Sequence, residues 1–256
     1  MEPTKELITL APLEVFAFFM TFARVSAMVM LMPAIGEMMV PPRVRLVLAL
    51  AISFVLVPLA APNPVIPEQP LALAALVGRE ILVGLIIGMA ARLVMSALQV
   101  AGSTIAMQTG LGFVQAIDPT FGVQGAIIGT FLSLLAVTVI FASGLYVLLF
   151  DAIVRSYAVF VPGAPIPIGD VTTLVLDTVA ASFALGMQLS APFLVFGLIF
   201  NLGAGVLSKL MPQLQIFFVA MPASIVLGLS LLMLGCGTLV MWFIEFFSDR
   251  IGGLLG

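Results

Sequence analysis

Apolar stretches separated by passages rich in proline and glycine divide the chain into six segments, about Ile8–Met32, Val44–Ala60, Leu71–Gln99, Ala126–Val161, Val171–Leu207 and Ile216–Phe247. Charge-free runs extend from Leu46 to Pro67, Leu93 to Ile117, Pro119 to Phe150, Thr178 to Ser208 and Leu210 to Ile244. Each reaches or exceeds the ~20 residues with which a helix spans a hydrocarbon core, so the pattern predicts an all-α membrane bundle. The connectors "PAIGEMMVPPR", "APNPVIPEQP" and "VPGAPIPIGD" are dense in proline, which removes a backbone donor and disfavours helical geometry in the residue before it. Stiff turns are expected there. Segments four to six run to roughly 32–37 residues, on the order of 50 Å at ~1.5 Å each, too long for one straight ~30 Å crossing. They must tilt, kink, break or leave the bilayer, and the expected kink points are Ser143-Gly144, Pro192 and Pro222.

Composition agrees with an integral membrane chain. Of 256 residues, 62% are hydrophobic and 8% are charged, and the mean hydropathy is +1.31. A soluble domain carries roughly 25% charged residues. With a net charge of −3 and no Lys/Arg cluster, neither nucleic acid nor capture of anionic lipid by a polybasic segment is indicated. Histidine is absent and Cys236 is the single cysteine, which excludes a disulfide, a thiolate zinc site or histidine-ligated haem within the chain. The acids are scattered, so neither a metal nor a cofactor is expected. No nucleophile elbow, phosphate loop, zinc-protease motif or paired-acid motif occurs, and the expectation is a protein without enzymatic activity. The N-terminus "MEPTKELITLAPLEVF" lacks a cleavage pattern and is expected to be retained. Arg43 and Arg45 alone hint at a cytoplasmic first connector, too little to assign orientation.

Small and polar residues recur at helical spacing. The third segment and its extension give Glu80, Gly84, Gly88, Arg92, Ser96, Gln99 and Ser103. The fifth repeats the pattern with Thr178, Ser182, Gly186, Ser190, Gly197, Asn201 and Gly205; shorter rows are Gly125, Gly129 and Ser133, and Ser224, Gly228 and Gly235. Such rows let helix backbones approach closely where lipid offers no hydrophobic drive for association. Packing within the chain, seams to partner subunits and the lining of a solvated path all remain open on this pattern. Arg24, Arg79, Glu80 and Arg92 would each cost ~2.5–3.5 kcal/mol at mid-bilayer and should face protein or water. Glu80 is expected to neutralise an arginine on a neighbouring helix, because Arg79 points elsewhere. A proton-relay role for this acid would need titratable partners that the sequence does not show. Fifteen methionines, five of them in "MVMLMPAIGEMM", suit adaptable packing or a flexible partner surface.

The passage "MQTGLGFVQAIDPTFGVQG", Met107 to Gly125, interrupts the apolar chain with glycines, amides and Asp118, the only charge between Arg92 and Asp151. Together with Arg24, Pro33, Gly36, Pro42 and Arg45, then "LVLALAISFVLVP", "REILVGLIIGMAARL", "QVAGSTIAMQTGLGFVQAIDPTFG" and "APFLVFGLIFNLGAGVLSKLMPQLQIFFVAMP", it resembles the FliR family of flagellar export-gate proteins. The injectisome subunits called SctT are similar. The resemblance spans about residues 10 to 245. A histidine expected after the glycine of the fourth segment is missing from "SGLYVLLF".

The resemblance implies an export-gate subunit of the bacterial inner membrane, at a flagellar basal body or injectisome base. Its implied partners are P-type and Q-type subunits, the B-type subunit, the large export-gate subunit, exported unfolded proteins and membrane lipid. Long kinked helical hairpins form one membrane helical domain, 1–256, divisible into N-terminal helices 1–161 and a C-terminal hairpin 171–247. A loop matching 107–124 is implied to plug the pore. The loop starts at Met107; within it Phe113, Ile117 and Phe121 offer bulk, Gly110, Gly112 and Gly122 offer hinge freedom, and Asp118-Pro119 favours a turn. A plain surface loop between two helices is the competing reading. Glu80, Gly84, Gly88, Arg92, Ser182, Gly186, Ser190, Asn201 and Gly205 are the expected helix-packing or subunit-seam residues. Two other functions compete: a small-molecule secondary transporter using Glu80 and Arg92, and a membrane scaffold without a conducting path. The transporter is disfavoured because no matching pair of interrupted segments is visible in the two halves.

Overall fold

The structure is a computed structural model that describes residues 3–37, 40–60, 66–67, 69–112, 127–211 and 216–254. Among them lie seven helices, α1 (Pro3–Leu31), α2 (Pro42–Ala60), α3 (Pro70–Gln108), α4 (Ile127–Ala142), α5 (Tyr146–Val159), α6 (Ile168–Leu210) and α7 (Ile216–Gly252), and no strand. The all-α expectation holds. The count exceeds six because the fourth apolar segment is broken between Ala142 and Tyr146, where Gly144 adopts φ +77°. A residue with a Cβ is disfavoured at that angle, so the Ser143-Gly144 pair stops one helix and starts the next. Pro192 and Pro222 instead lie inside unbroken helices.

Helix boundaries follow local chemistry. Proline opens α1, α2 and α3, where its missing N–H would have no intrahelical partner in any case. Asp170 sits in the first turn of α6 and Lys209 in its last, each opposing the partial charge of that helix end. Helix α3 continues nine residues beyond the expected Gln99, through Gln108, before glycine ends it. Met107, expected in the loop, is therefore in its last turn.

Among the described residues four helices are long and apolar enough to cross a membrane: α1 over Leu13–Leu31, then α3, α6, and α7 over Phe218–Gly252. The broken pair α4 and α5 makes a fifth if taken as one span.

The chain divides into two compact units. The first comprises residues 1–93, 144–178 and 248–256. Here α1 packs against α2 and against the N-terminal part of α3 with Val25, Met28, Val29, Val83, Ile87 and Ala90 buried between them. Gly84 and Gly88 permit the α1–α3 approach. A Cβ on Gly84 would run into the Arg24 carbonyl oxygen, and one on Gly88 would lie 2.9 Å from both Leu31 Cβ and the Met28 carbonyl oxygen.

The second unit comprises residues 94–143 and 179–247. Its core is formed by Ala97, Leu98, Ala101 and Ile105 of α3, Leu132 and Ala136 of α4, Leu189 and Phe193 of α6, and Phe243 of α7. Gly102 of α3 and Gly129 of α4 meet backbone to backbone, and Gln99 Nε2 donates to Ser133 Oγ at 2.9 Å beside them. Gly186 of α6 accepts α3 in the same manner: a Cβ there would stand 2.7 Å from Val100 Cβ and 2.8 Å from the Ala97 carbonyl oxygen.

Candidate functional site

Two polar constellations stand out, one in each unit. In the first unit, Arg24 on α1 is 1% exposed and Glu80 on α3 is 2% exposed. Arg24 Nε donates to Glu80 Oε2 at 2.6 Å, which supplies the arginine partner expected for that acid. The guanidinium's terminal nitrogens reach the last turn of α5 and the residue after it: Nη1 donates to Ser156 Oγ at 3.2 Å and Nη2 to the Phe160 carbonyl oxygen at 2.8 Å. The Arg24 carbon Cζ lies 3.9 Å from the centroid of the Tyr157 ring, a cation over an aromatic face. The neighbouring Arg79 donates from Nη1 to the Gly163 carbonyl oxygen at 2.6 Å. Two arginines thus fix the start of the proline-dense connector after α5. This cluster satisfies a buried charge in three directions.

For Arg92 the expectation is that it faces protein or water. It is exposed and has no partner among the described residues. Glu80 and Arg92 therefore do not share a site, which removes the geometric basis of the transporter reading.

The second constellation surrounds the end of α3. Gly110 adopts φ +82° and its N–H points to the Met107 carbonyl oxygen at 3.4 Å, while the Gly112 N–H donates to the Ala106 carbonyl oxygen at 2.9 Å. This left-handed cap satisfies carbonyls that the helix would leave open and explains why glycine stands at 110. Gln108 and Thr109 key this end into two other helices. A Cβ on Gly197 of α6 would collide with Gln108 Oε1, and one on Gly228 of α7 would collide with the Thr109 methyl. Thr109 is fully buried, and its hydroxyl donates to the Ile105 carbonyl oxygen at 2.9 Å.

Beside this anchored end lies a cavity of about 530 Å³. Met107, Gln108, Gly110 and Gly112 form one wall. Phe200, Asn201, Ala204 and Ser208 of α6 form another, and Ile216, Ala220, Met221 and Ser224 of α7 complete it. Among the described residues no charged side chain lines it. Among the described residues, no group of His, Cys, Asp or Glu is placed to hold a metal.

The profile of a family described as bacterial export proteins, family 1, matches residues 15–249, a stretch that contains both constellations. The chain belongs to this family. Among these export proteins, the flagellar biosynthetic protein FliR of Caulobacter vibrioides is 44% identical over 245 residues, covering 94% of this chain and 95% of that one. The flagellar biosynthetic protein FliR of Escherichia coli is 30% identical over 218 residues, with 84% and 82% covered. The Yop proteins translocation protein T of Yersinia pestis is 27% identical over 183 residues, with 70% and 69% covered. The similarity to FliR and to the injectisome subunits, visible in the motifs, is thus a family relation.

Within this export protein the anticipated residues fall into three groups. Glu80, Gly84, Gly88, Ser182, Gly186 and Ser190 are buried inside the chain and serve helix packing there; Ser182 Oγ finds no partner among the described residues. Arg92, Asn201 and Gly205 are exposed, and nothing lies within 4 Å of where a Gly205 Cβ would be. Of the anticipated plug, Met107, Gly110 and Gly112 border the cavity, whereas Phe113, Ile117, Asp118, Pro119, Phe121 and Gly122 lie outside the described residues. Sequence reasoning missed the Gln108–Gly197 and Thr109–Gly228 contacts; the small-residue rows marked both glycines without naming what they receive. Gly228→Leu is accordingly expected to lower the melting temperature of the detergent-extracted chain by several degrees, consistent with an overpacking cost of about 1–3 kcal/mol. Gly235→Leu, where a Cβ meets nothing within 4 Å, should leave it unchanged. Equal effects of the two would contradict the α3–α7 contact.

Proposed function

We propose that the chain is a non-enzymatic subunit of a type III protein export gate in the bacterial inner membrane, forming part of the protein-conducting channel with P-type and Q-type companions. Family membership carries this reading, because the match runs from residue 15 to residue 249 and the flagellar and Yop-translocation relatives each cover 70% or more of the chain. The higher identity to the flagellar protein favours a flagellar machine.

An independent physical argument supports partner subunits. The charge-free part of α6, Thr178 to Ser208, rises ~46 Å at about 1.5 Å per residue. It carries exposed apolar side chains along its length, among them Val179, Phe183, Val195, Leu198, Leu202 and Val206. Fitting that length into a ~30 Å hydrocarbon core needs a tilt of about 50°, outside the roughly 0–40° range of membrane helices. Acyl chains alone do not cover it, and other protein helices do so without a thickness limit.

Loop 107–124 is the plug in this reading, rooted at Gly110. Gly110→Val forces a β-branched residue into the left-handed region, at a cost of ~1–2 kcal/mol, and is expected to impair export or raise ion leakage in cells. Unchanged secretion together with unchanged leakage would count against the plug. The reading as a whole is tested by extracting the tagged chain in detergent and weighing what remains bound. P-type and Q-type companions are expected; an isolated monomer, stable without them, contradicts it. Gly205→Leu probes the seam in the same assay: the chain should accumulate normally, because no described residue lies within 4 Å of a Cβ there, while companions are lost.

A further inference from the structure

We propose that the end of the first unit where α1 closes and α2 opens binds the headgroups of anionic phospholipids, with their acyl chains laid along α2. The proposal depends on the chain's embedding in a membrane and is independent of what the assembly exports. Three arginines mark this end. Arg43 and Arg45 lie in the first turn of α2. Arg45 is held in place: its Nε donates to the Val40 carbonyl oxygen at 3.1 Å, and its Nη1 lies 3.8 Å from the Sδ of Met30, in the last turn of α1. Arg92 reaches the same end on α3. A Cβ on Gly88 would lie 2.9 Å from Leu31 Cβ, at the last residue of α1, and Arg92 stands one turn beyond Gly88. Arg43 and Arg92 are exposed, and one acid, Glu37, lies in the connector between α1 and α2. The sequence contains no polybasic run; the packing of α1 on α3 gathers these charges instead.

Helix lengths place this end at a bilayer surface. Helix α2 has 19 residues, ~28 Å at about 1.5 Å each, and α1 is apolar over the 19 residues Leu13–Leu31, each close to the ~30 Å of a hydrocarbon core. On α3, Arg92 stands roughly 33 Å from Pro70 by the same rise. Three helices thus traverse one core thickness and bring their arginines out at one boundary, where lipid phosphates lie. Charge on α2 is confined to its first turn. From there Val44, Val47, Leu50 and Phe54 stand exposed at steps of three and four, along one face of the helix. Cations at the start of a bare apolar face are complementary to a lipid, with phosphate at one end and acyl chain beyond it. Helix α6 outruns the bilayer and calls for protein, whereas α2 fits within it. A zwitterionic headgroup brings its own cation and leaves the field of the arginines uncompensated; an anionic one compensates it.

The test uses the detergent-extracted assembly, stripped of lipid and titrated with phosphatidylglycerol or with phosphatidylcholine of the same acyl chains, the mass of the intact assembly counting the lipids bound. Companions bind lipid too, so the change from parent to variant is read. The parent is expected to bind phosphatidylglycerol more tightly than phosphatidylcholine. Each arginine near an anionic surface contributes about fivefold, so Arg43→Gln with Arg92→Gln should weaken phosphatidylglycerol binding roughly 25-fold and leave phosphatidylcholine binding unchanged. Arg43→Lys with Arg92→Lys keeps the charge and should keep most of the binding. Arg155→Gln, at a cation paired with Asp151 at 2.7 Å, is the control and should change nothing. Both arginines of the test pair are exposed, so the Gln variant should assemble and melt as the parent does. If it does not assemble, Arg43→Gln alone decides. Equal affinity of the parent for the two lipids, or undiminished phosphatidylglycerol binding by an assembled Gln variant, overturns the proposal. Loss of companions from the Gln variant with lipid binding intact overturns it too and assigns this end to carboxylates of a partner protein. A parent chain that extracts without companions would sink the export-gate reading and leave the lipid result standing.

Discussion

Glu80→Ala is expected to destabilise the chain by about 3–5 kcal/mol, because it leaves the Arg24 guanidinium buried with its counter-charge removed. The pair is almost fully enclosed, so neither water nor salt screens the loss. The hydrogen bonds to Ser156 and to the Phe160 carbonyl would remain, yet they do not neutralise the charge. The expected result is a large drop in the amount of chain recovered from membranes and in the melting temperature of what is recovered. Glu80→Gln keeps an acceptor oxygen and should lose less. Replacing both partners, as Arg24→Met with Glu80→Leu, should recover much of the stability, since a buried ion pair and a well-packed apolar pair are often equivalent. The double variant would still lose the hold on Phe160, so its recovery should be incomplete. Melting of Glu80→Ala indistinguishable from the parent would remove the buried pair from the account of how α1, α3 and α5 are held.

Gly102→Val comes next in magnitude. The obstacle to a side chain there is the Gly129 backbone, with Ile128 main-chain carbon 3.0 Å away, and main-chain atoms cannot rotate aside as a lysine tip can. Helix α4 must shift, the Gln99–Ser133 hydrogen bond is lost, and the cost is about 3 kcal/mol. Protease resistance of the detergent-extracted chain reads this out through newly accessible bonds around 127–142. Gly237→Val is the control, since a Cβ there meets nothing within 4 Å. A Gly102→Val chain as resistant as its control would mean that α3 and α4 do not touch at these glycines.

How much of this was legible beforehand depended on the range of the interaction. The Glu80–Gly84–Gly88 row was visible because helical spacing places those residues on one face, and that face proved to be where α1 docks. The break at Ser143-Gly144 was visible because glycine freedom is a local property. The neighbour of a face is not local. Arg24 meets Ser156 across 132 residues and Phe160 across 136, and no periodicity in the sequence connects them. The family motifs contained Arg24 without stating what it holds. Arg92 lay on the same row as Glu80 and yet is exposed, because a ridge of i+4 steps drifts around the axis and leaves the docked face within three turns. The cavity illustrates a further gap: Gln108, Asn201 and Ser224 lie on three helices, and only the folded chain shows that they surround one space.

The order in which Arg24 meets its acceptors constrains how the protein is made. At about 5–20 residues per second, the ribosome releases Glu80 roughly 3–11 s after Arg24, given their separation of 56 residues, and Phe160 later still, at 136. During that interval the nascent first helix carries an unneutralised cation into a greasy environment. Biogenesis therefore favours a delay, with the first helix sheltered at the headgroup boundary or in the insertion machinery until the third arrives. Slowing translation between codons 24 and 80 should lengthen that exposure and increase the share of newborn chains sent to quality-control proteases.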